Sequence, residues 1–196
     1  MTHRFGKYSH VIVPVIIAIT ALVIYSNTFS VPFLFDDTPN ITVNLKIRSL
    51  SDFLSFSGTR YIGELSFALN YYFGWLEVFG YHLVNIIIHI TNGILVWWLV
   101  NLIFKTPVMR RAVISPQSGS LIALTASLIF ISHPIQTQAV TYIVQRLASL
   151  ATLFYLLSVV LFFKWRLSSR SGYRVAFYLL SLFSAVLAMK TKEMSF

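Results

Sequence analysis

Residues 80–104 read GYHLVNIIIHITNGILVWWLVNLIF, a stretch with no Asp, Glu, Lys or Arg. As a helix rising 1.5 Å per residue it reaches about 37 Å, enough to cross a hydrocarbon core of ~30 Å. Its polar members His82, Asn85, His89 and Asn92 step by three, four and three, which puts them on one helical face. In lipid such a face must turn toward other helices or a wet cavity. Both readings stand at this level: the four side chains tie helices together, or His82, Asn85 and His89 line a pocket. A shared metal ion fits poorly, because His82 and His89 are two turns apart, roughly 10 Å.

The rest of the chain fits that environment. Of its 196 residues 57% are hydrophobic and 11% charged, with a mean hydropathy of +0.75. Soluble domains average about a quarter charged residues, so lipid has to be part of the solvent. Cysteine is absent, which excludes a disulfide framework, a thiolate metal site and a thiol nucleophile. The net charge of +9 does not point to nucleic acid, because its distribution follows topology. Arg4, Lys7, Lys105, Arg110, Arg111, Lys164, Arg166, Arg170 and Arg174 fall in loops on one side, with no acid among them. All six acids fall on the other side, with Lys46, Arg48, Arg60, Arg146, Lys190 and Lys192. Positively charged loops mark the cytoplasmic face. The N-terminus is therefore expected in the cytoplasm and the acids outside.

The expected architecture is an all-α polytopic membrane bundle of about five spans. Residues 11–25 form a retained first helix rather than a cleaved signal, since no small-residue cleavage site follows. Residues 28–79 are a mixed outer loop. Within it, 62–76 is aromatic-rich and suits an interfacial helix with Tyr and Trp at headgroup level. Further spans are expected at 80–104, 118–132, 138–163 and 175–190. The third is short, which predicts that His133-Pro134 lies below the membrane surface. The chain stops at Phe196 without a closing loop, and is expected to be the N-terminal part of a larger protein.

Asp36-Asp37 follows the first helix, after the apolar run Val31-Pro32-Phe33-Leu34-Phe35. Adjacent carboxylates repel, so one is pushed toward its protonated form and the pair attracts a cation or proton donor. One can act as general base while the other orients it, or the pair simply forms a turn before Pro39. Farther along, Gln138, Tyr142, Gln145, Ser149 and Thr152 step along one face of the expected fourth helix, with Gln138 and Gln145 as candidate pocket lining. Arg146 would lie about two turns into that helix. A charge there needs an acid such as Asp36, Asp37 or Glu193, or an anionic ligand, and its guanidinium fork suits phosphate. Lys190, Lys192 and Glu193 end the last span on the same outer side. No P-loop, dinucleotide fingerprint or His-Glu-x-x-His motif occurs.

The ordered runs Phe35-Asp36-Asp37, Arg60 with Leu65-Ser66-Phe67-Ala68-Leu69-Asn70-Tyr71, Gly80-Tyr81-His82-Leu83-Val84-Asn85-Ile86 with His89, His133-Pro134-Ile135-Gln136-Thr137-Gln138-Ala139-Val140 with Ile143 and Arg146, and Lys192-Glu193 resemble the transmembrane and tetratricopeptide-repeat-containing proteins, bacterial relatives above all. The resemblance implies a C-type glycosyltransferase membrane fold in a bacterial inner membrane, with further helices and repeats beyond this chain. It implies transfer of a sugar from a polyprenyl-phosphate donor to a hydroxyl acceptor, such as a protein, on the outer face. Asp36 or Asp37 maps to the base. Arg60, His133, Arg146, Lys192 and Glu193 map to the donor phosphate, with no divalent metal required. Gln138 departs from the family, whose eukaryotic members often carry Glu there. A non-catalytic membrane scaffold and a transporter lined by Arg146 are the rival readings.

Overall fold

The computed structural model describes residues 2–111 and 115–192, with side chains from residue 8 onward. Helices α1 (Thr2–Ile24), α2 (Tyr61–Gly74), α3 (Val78–Ile103), α4 (Pro116–Ser132), α5 (Thr137–Thr141), α6 (Arg146–Leu167) and α7 (Ser171–Met189) carry the fold, joined by short 3-10 and π turns. No strand occurs among the described residues. Three helices are long and apolar enough to cross a membrane: Val78–Ile103, Ile143–Leu167 and Ser171–Met189. A fourth crossing results if Pro116–Ser132 and Pro134–Thr141, bent by 49°, count as one. Tyr8–Ile24 is a shorter apolar helix. The stretch 62–76, expected to be helical, largely coincides with α2.

Small and polar residues set how closely the helices pack. A Cβ on Gly93 would stand 2.7 Å from Ile131 Cδ1 and 3.1 Å from Ile17 Cγ2, so only glycine lets α1, α3 and α4 meet there. Ser127 Oγ donates to the Gly93 carbonyl at 2.7 Å in the same seam. Val13, Ile17, Ala21 and Ile131 form the apolar side of that contact. Between α6 and α7, Ser158 and Ser181 each donate a hydroxyl to the other's carbonyl at 2.9 Å. Such bonds are worth about 0.6–2 kcal/mol each between helices in lipid.

The elements sort their ends into two groups. Residues 26–60, 133–145 and 190–192 gather at one end, tied by Tyr25 Oη to Ile131 O at 3.3 Å and by Ile62 N to Lys190 O at 3.0 Å. Lys105 and Arg110 lie beside the start of α4 at the other end. This loop-rich end and basic end match the charge sorting of the sequence.

One expected element is corrected. Residues 138–163 are not one helix: α5 stops at Thr141, Tyr142 is extended (φ −88°, ψ 114°), and α6 begins at Arg146. Distant residues satisfy the backbone groups freed by the break, as lipid requires. Asn85 Nδ2 donates to the carbonyls of Val140 and Ile143, both at 3.3 Å, and Asp37 Oδ1 accepts from Val144 N at 2.7 Å. The expected single face from Gln138 to Thr152 therefore does not exist: Gln138 is exposed on α5, Gln145 is half-buried in the turn, and Ser149 is buried on α6. Pro134 forces the earlier break, pushing His133 into extended backbone (φ −68°, ψ 128°).

Candidate active site at the loop-rich end

The aspartate pair sits on a strained turn. Phe35 has a left-handed φ of 43°, a conformation that costs a non-glycine residue on the order of 1 kcal/mol or more. Hydrogen bonds from Asp37 N to Leu34 O at 2.9 Å and from Thr38 N to Phe35 O at 3.1 Å hold it. The turn leaves one carboxylate buried and the other exposed. Asp37 is 1% exposed; its Oδ2 accepts from Leu34 N at 3.0 Å and its Oδ1 from Val144 N. Burial pushes its carboxyl above the usual range, against the downward pull of those two N–H donors and of His82. Asp36 is exposed. Its backbone N–H donates to Tyr142 Oη at 2.7 Å, and Asn40 Nδ2 donates to its carbonyl at 2.7 Å.

Among the described residues no carboxylate pairs with Arg146. It stands at the first residue of α6 rather than two turns in, with 0% exposure. Its Nε donates to Asn85 Oδ1 at 2.7 Å. Nη1 donates to Asn70 Oδ1 at 2.6 Å and Ser66 O at 3.2 Å, and Nη2 to Tyr81 O at 2.8 Å. The guanidinium lies 4.7 Å from the Phe67 ring centroid and 5.5 Å from that of Tyr81. All four acceptors are neutral. Lys46 and Glu64 form an ion pair at 2.5 Å. Arg146 thus clamps α2 and α3 to the start of α6, just beyond the bond from Asp37 to Val144.

The buried face of α3 works in the same way. His82 Nε2 donates to Val31 O at 2.9 Å, His89 Nε2 to Ile131 O at 3.1 Å and Asn92 Nδ2 to Ser149 O at 2.9 Å. With Asn85 on Val140 and Ile143, each reaches a different segment, so the stripe fastens segments together.

The remaining candidates lie around the same end. His133 is exposed and caps the following turn, with Nδ1 accepting from Ile135 N at 3.2 Å, which leaves its neutral form protonated on Nε2. Arg60 precedes α2 and is half-buried; Lys192 is half-buried beyond α7. Those two segments meet at Gly63, where a Cβ would stand 2.0 Å from Leu147 Cδ2 and 3.2 Å from Thr191 O. Glu193 lies outside the described residues. The sequence reading did not assign Ser66, Asn70 and Tyr81 to Arg146. The spacing of Ser66 and Asn70, one turn apart on the same helix, is the available signal.

No family model and no solved structure matches the chain. Curated proteins do. Human protein O-mannosyl-transferase TMTC4 is 29% identical over 202 residues, covering 91% of this chain and 27% of that protein. The Xenopus laevis protein O-mannosyl-transferase tmtc2 is 35% identical over 159 residues, covering 73% of this chain and 18% of its own length. Its homologues are TMTC proteins. Drosophila melanogaster Tmtc3 adds a 31% match over 71% of the chain and 18% of the relative. The chain thus spans far less than half the length of the TMTC proteins it matches.

Proposed function

We propose that this chain is part of a TMTC-type membrane glycosyltransferase that moves a sugar from a polyprenyl-phosphate donor to a hydroxyl of a protein acceptor. The reading extends to the membrane: α1 is a fifth span, the basic end is cytoplasmic, the loop-rich end faces outward, and the home is a bacterial inner membrane. What carries it is the division of labour within the aspartate pair, a buried anchor beside an exposed carboxylate, in a chain whose relatives are named O-mannosyl-transferases.

Asp36 takes the proton of the acceptor hydroxyl as its oxygen attacks the anomeric carbon. The bond from that carbon to the donor phosphate breaks on the opposite face, inverting the configuration. The polyprenyl phosphate leaves with the negative charge, held by Arg60, His133 and Lys192 through charge-assisted hydrogen bonds. Arg146 acts through the scaffold, because four of its five N–H donors go to protein acceptors. That engagement is the observation favouring the rival scaffold reading. The test is to supply the intact protein with polyprenyl-phosphate sugar and a Ser/Thr peptide, and to read the product anomer by NMR. Glycopeptide of inverted configuration is expected. Absence of transfer, with the protein folded and the donor bound, favours the scaffold.

A further inference from the structure

The basic end holds a separate concavity of about 410 Å³ between the end of α3 and the start of α4. Lys105, Arg110, Asn101, Ser115 and Ser120 supply its polar lining, and Phe104 contributes to its apolar wall. Among the described residues neither cation pairs with a carboxylate. Between residues 78 and 192 the sequence contains no Asp or Glu, and none occurs before Asp36. Carboxylates at 36–77 belong to the loop-rich end. The charge of Lys105 instead acts on another cation, Lys164. Two cations held beside a cavity without a protein anion make a place for an anion from outside. Hydroxyls at Ser115 and Ser120 and the Asn101 amide add polar groups suited to phosphate oxygens.

We propose that this pocket binds the phosphate of an anionic phospholipid headgroup. A free phosphate shares the headgroup's chemistry, but the surroundings favour a lipid. Leu121 and Ile122, directly after Ser120 on α4, are 60% and 47% exposed, so exposed apolar side chains follow the polar lining along the same helix. Basic pockets between transmembrane helices are where anionic headgroups dock.

The test is native mass spectrometry of the intact protein with phosphatidylglycerol, phosphatidylcholine, or soluble glycerol 3-phosphate. The wild type should retain phosphatidylglycerol over phosphatidylcholine. Lys105→Gln with Arg110→Gln should weaken that retention about thirtyfold, at about fivefold per lost charge. Arg170→Gln with Arg174→Gln, equal in charge and outside the pocket, should change it less than about threefold on the same scale. Ser120→Leu fills the pocket without altering charge and should also release the lipid. Variants are compared only when their unfolding midpoints in phosphatidylcholine match the wild type. An equal loss in the Arg170 and Arg174 control would overturn the pocket assignment. Glycerol 3-phosphate binding as tightly as phosphatidylglycerol would overturn the lipid assignment.

Discussion

Asp37 Oδ1 accepts a hydrogen bond from the backbone N–H of Val144 at 2.7 Å, joining positions 107 residues apart. The contact closes the break between α5 and α6, and the same carboxylate caps its own turn through Leu34 N. Asn at this position presents one oxygen and one N–H₂ group, so one of the two donors faces another donor. Asp37→Asn should therefore destabilise the fold by about 1–3 kcal/mol, the cost of one buried unsatisfied group, and Asp37→Ala by more. Unfolding in detergent, followed by circular dichroism, measures both.

The pH dependence follows from the same burial. The folded-state carboxyl of Asp37 lies above its ordinary value of 3.8, with desolvation as the leading cause. The contribution of a raised carboxyl to stability is full below the unfolded value and is lost as pH rises through the folded one. The stability advantage of the wild type over Asp37→Asn should then be largest at low pH and shrink as pH climbs past that window. Paired melting curves at stepped pH check it; a gap that widens with rising pH would contradict it.

Arg146→Lys should fail to restore the clamp. Four bonds to Asn85, Asn70, Ser66 and Tyr81 use a planar fork that an ammonium cannot reproduce. Acceptors left unpaired in the interior cost roughly 1–3 kcal/mol each. Lower folded yield for both Arg146→Lys and Arg146→Met, with Lys no better than partly restored, is the expected result by size-exclusion chromatography.

Gly63 is the contact point of α2 with α6 and the end of α7. Gly63→Ala should cost about 1–3 kcal/mol through overpacking against Leu147. Leu147→Ala, which removes the side chain a Cβ would strike, should recover part of that loss in a double-mutant cycle. Purely additive effects would show that the close approach is not what fixes glycine there.

Much of the architecture is legible in the sequence because lipid imposes strict rules. The period of His82, Asn85, His89 and Asn92 put them on one face, and all four are buried there. The sorting of Lys and Arg matched the two ends of the bundle. The break at Tyr142 was not legible. Thr141-Tyr142-Ile143-Val144 contains no Pro or Gly, and the groups that stabilise the break come from Asp37 and Asn85, far away in sequence. Arg146 moved with it, from mid-helix to helix start. Nor could Asp36 be told from Asp37, since the positive φ of Phe35 decides which carboxylate turns inward.

In the proposed division Asp36 does the chemistry while Asp37 holds the site. Glycosyl transfer by the intact protein, measured per folded molecule for Asp36→Asn and Asp37→Asn, tests it most directly. Asp36→Asn should fold like the wild type and lose turnover, by about 10²-fold or more for a missing general base. Asp37→Asn should give less folded protein but leave measurable transfer in what folds. Wild-type turnover in Asp36→Asn, or loss of turnover confined to Asp37→Asn, would contradict the account.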